Sequence, residues 1–328
     1  MVFIKSINKN IFPHYLPPEE DELFSSWLCR LAINHYVKPQ TFIQNYFGKD
    51  FPIMNRDIDL YAPENLINIL EHHTPLNNYD IRKMFLTIYE SYAFEKVGEK
   101  GTYTNNILPL GINHRKRKRF GLSLCSCCLK NKNYYKKSWR LITSLICVEC
   151  NQYLLDRCFS CSAPIAFHRI NMSNNVSTMD FKPIYLCYNC NQDLRKYTPT
   201  LLPLPFEIKY QRFIDSTIQL GYNKVCSYSF FYIYTLLYLS YKVRGQRRNN
   251  RFKEAILSIN HKLKKSSTIK EHIKYWTIEQ RLETLPFIAK LLNNPLKLKK
   301  TLINGRVHKS YVDQDKVLPY WFIKNTIN

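Results

Sequence analysis

The chain has 328 residues, 45% of them hydrophobic, and its 48 basic against 25 acidic side chains give a net charge of +23. Such a composition is globular; it offers no run of about 18 uncharged apolar residues to cross a membrane, and the N-terminal MVFIKSINKN lacks the apolar centre of a signal peptide. The expectation is a soluble cytoplasmic protein of two or three domains of about 100 to 150 residues each, with a cationic excess that favours a polyanion such as nucleic acid and that also follows from a composition rich in Lys, Asn and Ile.

The first block reads as helical. In PPEEDELFSSWLCRLAINHY the residues Leu23, Trp27, Leu28, Leu31 and Ala32 recur at helical spacing, with acidic residues at the N-terminal end, where the helix dipole favours them. A turn at Val37 to Pro39 leads into a second short helix through Thr41, Phe42, Ile43, Tyr46 and Phe47, stopping at Gly48. Helix, tight turn and helix outline a helix-turn-helix. Pro63 opens ENLINILEHH, and NNYDIRKMFLTIYESY predicts a further helix with Ile81, Phe85, Ile88 and Tyr92 on one face.

The middle block changes character, with a basic run, paired cysteines and a polar segment, NMSNNVST, that reads as an exposed loop. After LLPLPFEI, whose prolines suggest a linker, FIDSTIQLGYNKVCSYSFFYIYTLLYLSYKV predicts mostly buried helix and TIEQRLETLPFIAKLLNN an amphipathic one. The expected division is 1–113, an N-terminal helix-turn-helix-like domain; 114–200, a tandem zinc-finger region; and 201–328, a helical C-terminal domain. The fold class is mainly α, with small zinc-knuckle β-hairpins.

Four Cys-x-x-Cys units carry the chemistry: Cys125 with Cys128, Cys147 with Cys150, Cys158 with Cys161, and Cys187 with Cys190. Two residues between thiolates let one tight turn aim both sulfurs at a single ion, and two such turns complete a tetrahedron. A reducing cytosol keeps such thiols free for metal. Eighteen residues part Cys128 from Cys147 and twenty-five part Cys161 from Cys187, the polar loop accounting for the longer gap. The assignment is two structural zinc ions in sequential order, 125/128/147/150 and 158/161/187/190; a crossed pairing of the inner units remains the alternative. The two-residue gap selects Cys125 and Cys128 over Cys127, while Cys29 and Cys226 read as small buried hydrophobes inside helices. Four thiolates leave no open position for a catalytic water.

These motifs together resemble the TniQ/TnsD family of transposon target-site selectors. The likeness runs through DELFSSWLCRLA, where Ser26, Trp27, Arg30, Leu31 and Ala32 match, then RFGLSLCSCCL, YYKKSWRL, ICVECNQYLLDRCFSC and LCYNCNQDL, over about residues 10 to 195. One departure is Cys150, where the family commonly has His; a thiolate serves zinc as well. The resemblance implies a protein without catalysis that hands a chosen target to an AAA+ ATPase regulator of the TnsC kind and to a transposase. The target is attachment-site DNA read directly, or a CRISPR effector whose guide RNA reads it. The modest length leans toward the adaptor role, with a homodimer as one form of it.

Two basic runs suit phosphate: Arg115, Lys116, Arg117, Lys118 and Arg119 before the first knuckle, and Arg244, Arg247, Arg248 and Arg251 after a buried helix. Arg and Asn in the second run can read base edges; the bland reading of both runs is a solvated surface. Trp27 is expected in the core, Arg30 beside an acidic group of its own domain, and Tyr134, Tyr135 and Trp139 against the metal knuckle. No P-loop, His-Glu-x-x-His or nucleophile elbow is present, which argues against an enzyme. The competing class is a zinc-containing helix-turn-helix transcription regulator unconnected with transposition.

Overall fold

A computed structural model describes residues 10–48, 57–98, 104–111, 118–171, 181–245, 250–265, 268–313 and 317–326. It is mainly helical, with thirteen α-helices and one two-stranded antiparallel hairpin among those residues. No described helix is long and apolar enough to cross a membrane.

The N-terminal block has its own core. Helix α1 (Phe24–Asn34) turns through Tyr36, at φ 55°, into α2 (Pro39–Phe47), which starts with Pro at its first turn and stops at Gly48, φ 94°. Pro63 stands just before α3 (Glu64–His73), and α4 (Asn78–Arg82) follows, its Asn77 side chain accepting from the Asp80 N–H. Trp27, Phe24, Leu28, Phe42, Leu66 and Phe85 fill the space between these helices, all essentially inaccessible. Trp27 is the anchor the sequence predicted, and its indole N–H donates to the Leu16 carbonyl at 2.8 Å. α2 leaves Gln40, Thr41, Gln44 and Asn45 in solvent.

The helix expected over NNYDIRKMFLTIYESY is shorter than its periodicity suggests. α4 ends at Arg82, Phe85 becomes extended, and only a 3-10 turn follows at Leu86–Tyr89. The Met84 carbonyl accepts from the Phe24 N–H, and the Phe85 ring stacks on Phe24 at 4.4 Å. Tertiary pairing with α1 thus replaces further helical turns, and Ile88 and Tyr92 end up exposed.

A second apolar cluster takes Leu23, Cys29, Leu60, Leu86, Ala93 and Phe94 from the N-terminal block and extends from Ile107 through the cysteine region to Ile323. α5 (Ser126–Asn131) and the hairpin β1 (Ile146–Cys147) and β2 (Gln152–Tyr153) belong to the cysteine region, with Ile146 opposite Tyr153 and Cys147 opposite Gln152. The long predicted helical stretch divides into α6 (Pro205–Leu220) and α7 (Ser229–Arg244), separated where Gly221 takes φ 80°. α7 is apolar on nearly every side because α6, α8 (Arg251–Ser258) and α10 (Ile278–Leu292) all pack on it. α10 begins in a capping box between Thr277 and Gln280. α9 (His261–Lys265), α11 (Pro295–Asn304), α12 (Lys309–Val312) and α13 (Tyr320–Thr326) complete the chain.

Candidate metal centres

Three of the four cysteine pairs share one local design. The first cysteine of each stands opposite the residue five positions on: Cys147 opposite Gln152 in the hairpin, and Cys158 and Cys187 donating N–H to Ala163 and Gln192 carbonyls at 2.8 Å. The residue before that partner is left-handed, Asn151 at φ 52°, Ser162 at 58° and Asn191 at 59°. Short polar residues enter that region at least cost. This turn aims both thiols of a pair to the same side. The remaining pair is helical: Cys125 lies just before α5, and its sulfur accepts from the Cys128 N–H at 3.4 Å.

The eight thiols fall into two sets of four, Cys125, Cys128, Cys147, Cys150 and Cys158, Cys161, Cys187, Cys190, with the sulfurs of each set within 4.8 Å of one another. The sequential pairing is therefore the one the fold builds, and the crossed alternative drops out. Cys128 Sγ lies 3.4 Å from Cys147 Sγ and 3.5 Å from Cys150 Sγ. In the second set Cys158 and Cys190 are 3.7 Å apart, and Cys161 and Cys187 3.6 Å. Four thiolates about 2.3 Å from one zinc ion stand about 3.8 Å from each other, so either set could hold such an ion. Without a cation the thiols oppose each other's ionisation: hydrogen bonds from Cys128 and Cys147 hold Cys125 down to about 3, while the same contact pushes Cys128 up. A divalent cation is what would let all four ionise together.

The first set is the more enclosed, since Cys125, Cys128 and Cys147 are buried, whereas Cys190 of the second set is exposed. Gln152 Nε2 donates to Cys125 Sγ at 2.7 Å, and Lys136 Nζ meets Glu149, between Cys147 and Cys150, at 2.7 Å. Both place positive charge or a donor beside sulfurs that would bear net negative charge. Cys127 stays outside the four and lines a cleft of about 520 Å³ beside Cys128 and Cys150. Cys29 is buried inside α1 as expected, whereas Cys226 is buried in the connection between α6 and α7 rather than in a helix, its thiol donating to the Tyr228 carbonyl at 3.2 Å. Sequence reasoning missed Gln152 as a sulfur partner; the recurrence of Asn, Ser and Asn one position after the second cysteine of three pairs was the readable sign of the shared turn.

The aromatic motif between the cysteine pairs does more than cover metal. Trp139 borders the first set. Tyr135 stacks on Phe167 at 4.5 Å and donates to the Ile184 carbonyl, reaching the second set's region, while Tyr134 donates to the Glu20 carbonyl. The first motif meets this one directly: the backbones of Glu22 and Lys136 form an antiparallel β-bridge, the Leu23 N–H donates to the Tyr135 carbonyl at 2.9 Å, and the Tyr135 N–H donates to Ser26 Oγ at 3.0 Å. Arg140, fully buried, binds Asp57 at 2.5 Å and Asp59 at 3.2 Å, and Asp59 in turn accepts from both the N–H and the hydroxyl of Ser25 at the start of α1. Asp57 and Asp59 carried no recognisable pattern in the sequence.

The described members of the basic runs have different settings. Arg115, Lys116, Arg117, Arg247 and Arg248 lie outside the described residues. Lys118 is exposed, and Arg119 lays its guanidinium 3.7 Å from the Tyr275 ring centre. Arg244 corrects the expectation of a surface reader: it is 4% exposed, and its Nη1 meets Glu283 at 2.9 Å. Arg251 is exposed at the start of α8.

Residues 13–154, which include α1 and the first cysteine set, match the protein-family model described as TniQ. No curated protein matches the chain.

Proposed function

We propose, from the match of residues 13–154 to the TniQ family model, that the chain is a transposition-associated protein and, more specifically, a non-catalytic target-site selector of a DNA transposon. In this role it links a target, either attachment-site DNA or a CRISPR effector with its guide RNA, to an AAA+ ATPase regulator of the TnsC kind and to the transposase. The observation that carries the reading is the junction between the two family motifs, in which DELFSSWLCRLA packs against YYKKSWRL through Glu22, Leu23 and Ser26. That buried junction packs the helix-turn-helix-like block directly against the cysteine region.

Each cysteine set holds one structural zinc ion in this reading, as Cys125, Cys128, Cys147, Cys150 and Cys158, Cys161, Cys187, Cys190. The ion supplies cross-linking and no reaction chemistry, since four thiolates fill its coordination shell. Residues 1–113, 114–200 and 201–328 are, in this reading, the helix-turn-helix-like, zinc-stapled and helical C-terminal parts. The test is co-expression of the tagged chain with the genes beside its own, followed by identification of the protein and nucleic acid retained. Recovery of an AAA+ ATPase supports the proposal, with guide RNA pointing to the effector route and duplex DNA to direct reading. Recovery of neither ATPase nor transposase overturns it.

A further inference from the structure

The far end of the chain builds a site that the cysteine region does not account for. Helices α12 and α13 wall a cleft of about 880 Å³, with His308, Lys309 and Tyr311 on one side and Leu318, Tyr320 and Ile323 on the other. Leu318 and Ile323 are buried and form its floor, yet Tyr320 is 75% exposed. Arg251 adds a guanidinium 5.7 Å from the Tyr311 ring centre. The carboxylate among the lining residues, Asp313, is turned inward, where its Oδ1 accepts from the Val317 and Leu318 N–H groups at 2.8 and 3.1 Å. The cleft is therefore aromatic and cationic toward solvent. Its surroundings share the sign: α11, which packs on both α8 and α13, carries Lys297, Lys299 and Lys300, and the described residues from 295 to 326 hold six basic side chains against one acidic, Asp313.

Cations around one exposed ring, Tyr320, and one half-buried ring, Tyr311, in a concave site match an unpaired nucleotide chain, whose phosphates meet the cations and whose bases offer free faces for stacking. A duplex hides those faces in its own stack. We infer that the cleft between α12 and α13 binds single-stranded nucleic acid, with Tyr320 and Tyr311 as stacking platforms and Lys309 and Arg251 on the phosphates. The inference does not depend on the target-selector reading.

Fluorescence anisotropy of the full-length protein with labelled dT12, U12 and a 12-base-pair duplex tests it. Tyr320→Ala, at an exposed position that the fold does not need, should weaken single-strand binding about tenfold and leave duplex binding unchanged. Lys309→Ala should lower the salt slope for the single strand by about one. Preference for dT12 or for U12 assigns the site to a displaced DNA strand or to RNA, and equal binding assigns it to the backbone and base faces both share. No binding of either single strand, or equal loss of single strand and duplex in Tyr320→Ala, overturns the inference. Recovery of the ATPase by Tyr320→Ala stays as in the unaltered chain, so failure here is separable from failure of the selector role.

Discussion

Arg30 Nη1 lies 2.6 Å from Glu22 Oε2, and the Glu22 side chain is fully shielded from water. The same carboxylate accepts from Ser26 Oγ and from the Glu19 N–H, so its burial, which pushes its pKa above the ordinary range, is offset on three sides. Glu22 also stands in the bridge to Lys136, which places this ion pair at the seam between the N-terminal helices and the cysteine region.

Removing one member of a buried pair strands the other, at about 3 to 5 kcal/mol. Glu22→Ala should therefore lower the urea unfolding free energy by that order, and Glu22→Gln, which keeps the hydrogen-bonding shape, by less. An unchanged urea midpoint in Glu22→Ala would show that the seam is held by other contacts.

Metal content separates the two sets. Elemental analysis of the purified protein should find two zinc equivalents in the unaltered chain and in Cys127→Ser, and one in Cys147→Ser. Equal loss from Cys127→Ser and Cys147→Ser would reassign the ligands of the first set. Chelation should also loosen the C-terminal helices, because one apolar cluster joins them to the cysteine region.

Arginines of one sequence run should respond differently. Arg244→Ala removes a buried guanidinium from its contact with the part-exposed Glu283 and should cost about 1 to 2 kcal/mol of stability. Arg251→Ala, at an exposed position, should stay within about 0.5 kcal/mol of the parent. Thermal melts of the two variants decide it; equal melting temperatures would contradict the buried role of Arg244.

Asp59 gives the pH dependence. Burial pushes its pKa from 3.8 up to about 6 despite the nearby Arg140. The folded chain then holds this proton more tightly than the unfolded one, so the contribution of Asp59 is fully present below the unfolded value and is lost as pH rises through about 6. The stability difference between the parent and Asp59→Asn, followed by urea titration from pH 4 to 7, should change most between those two values. A difference that is flat across the range would refute the raised pKa.

Much of this architecture was legible because local rules agreed with the final packing. The Trp27 helix, the stop at Gly48 and the sequential cysteine sets all follow from spacing and turn chemistry within short windows. What escaped was settled by partners distant in sequence. α4 breaks because Phe24 and Phe85 stack, and Arg140 finds Asp57 and Asp59 more than eighty residues away. Arg244 reads as one of a basic run, yet its direction depends on Glu283 of another helix. Charge runs report composition, and burial assigns each member separately.

Asp156 lies in the short stretch between the two cysteine sets, and its Oδ2 accepts from the Ile278 N–H at the first turn of α10, 122 residues further along the chain. Its other oxygen holds Arg157 at 2.7 Å, and Arg157 reaches Glu279 on that same turn at 2.9 Å. The link from Cys150 to Cys158 thus works as a ruler as well as a tether: one inserted residue would carry Asp156 off the helix start and put the two sets out of step with the helical end. The spacing of the two sets is thereby indexed to the start of α10.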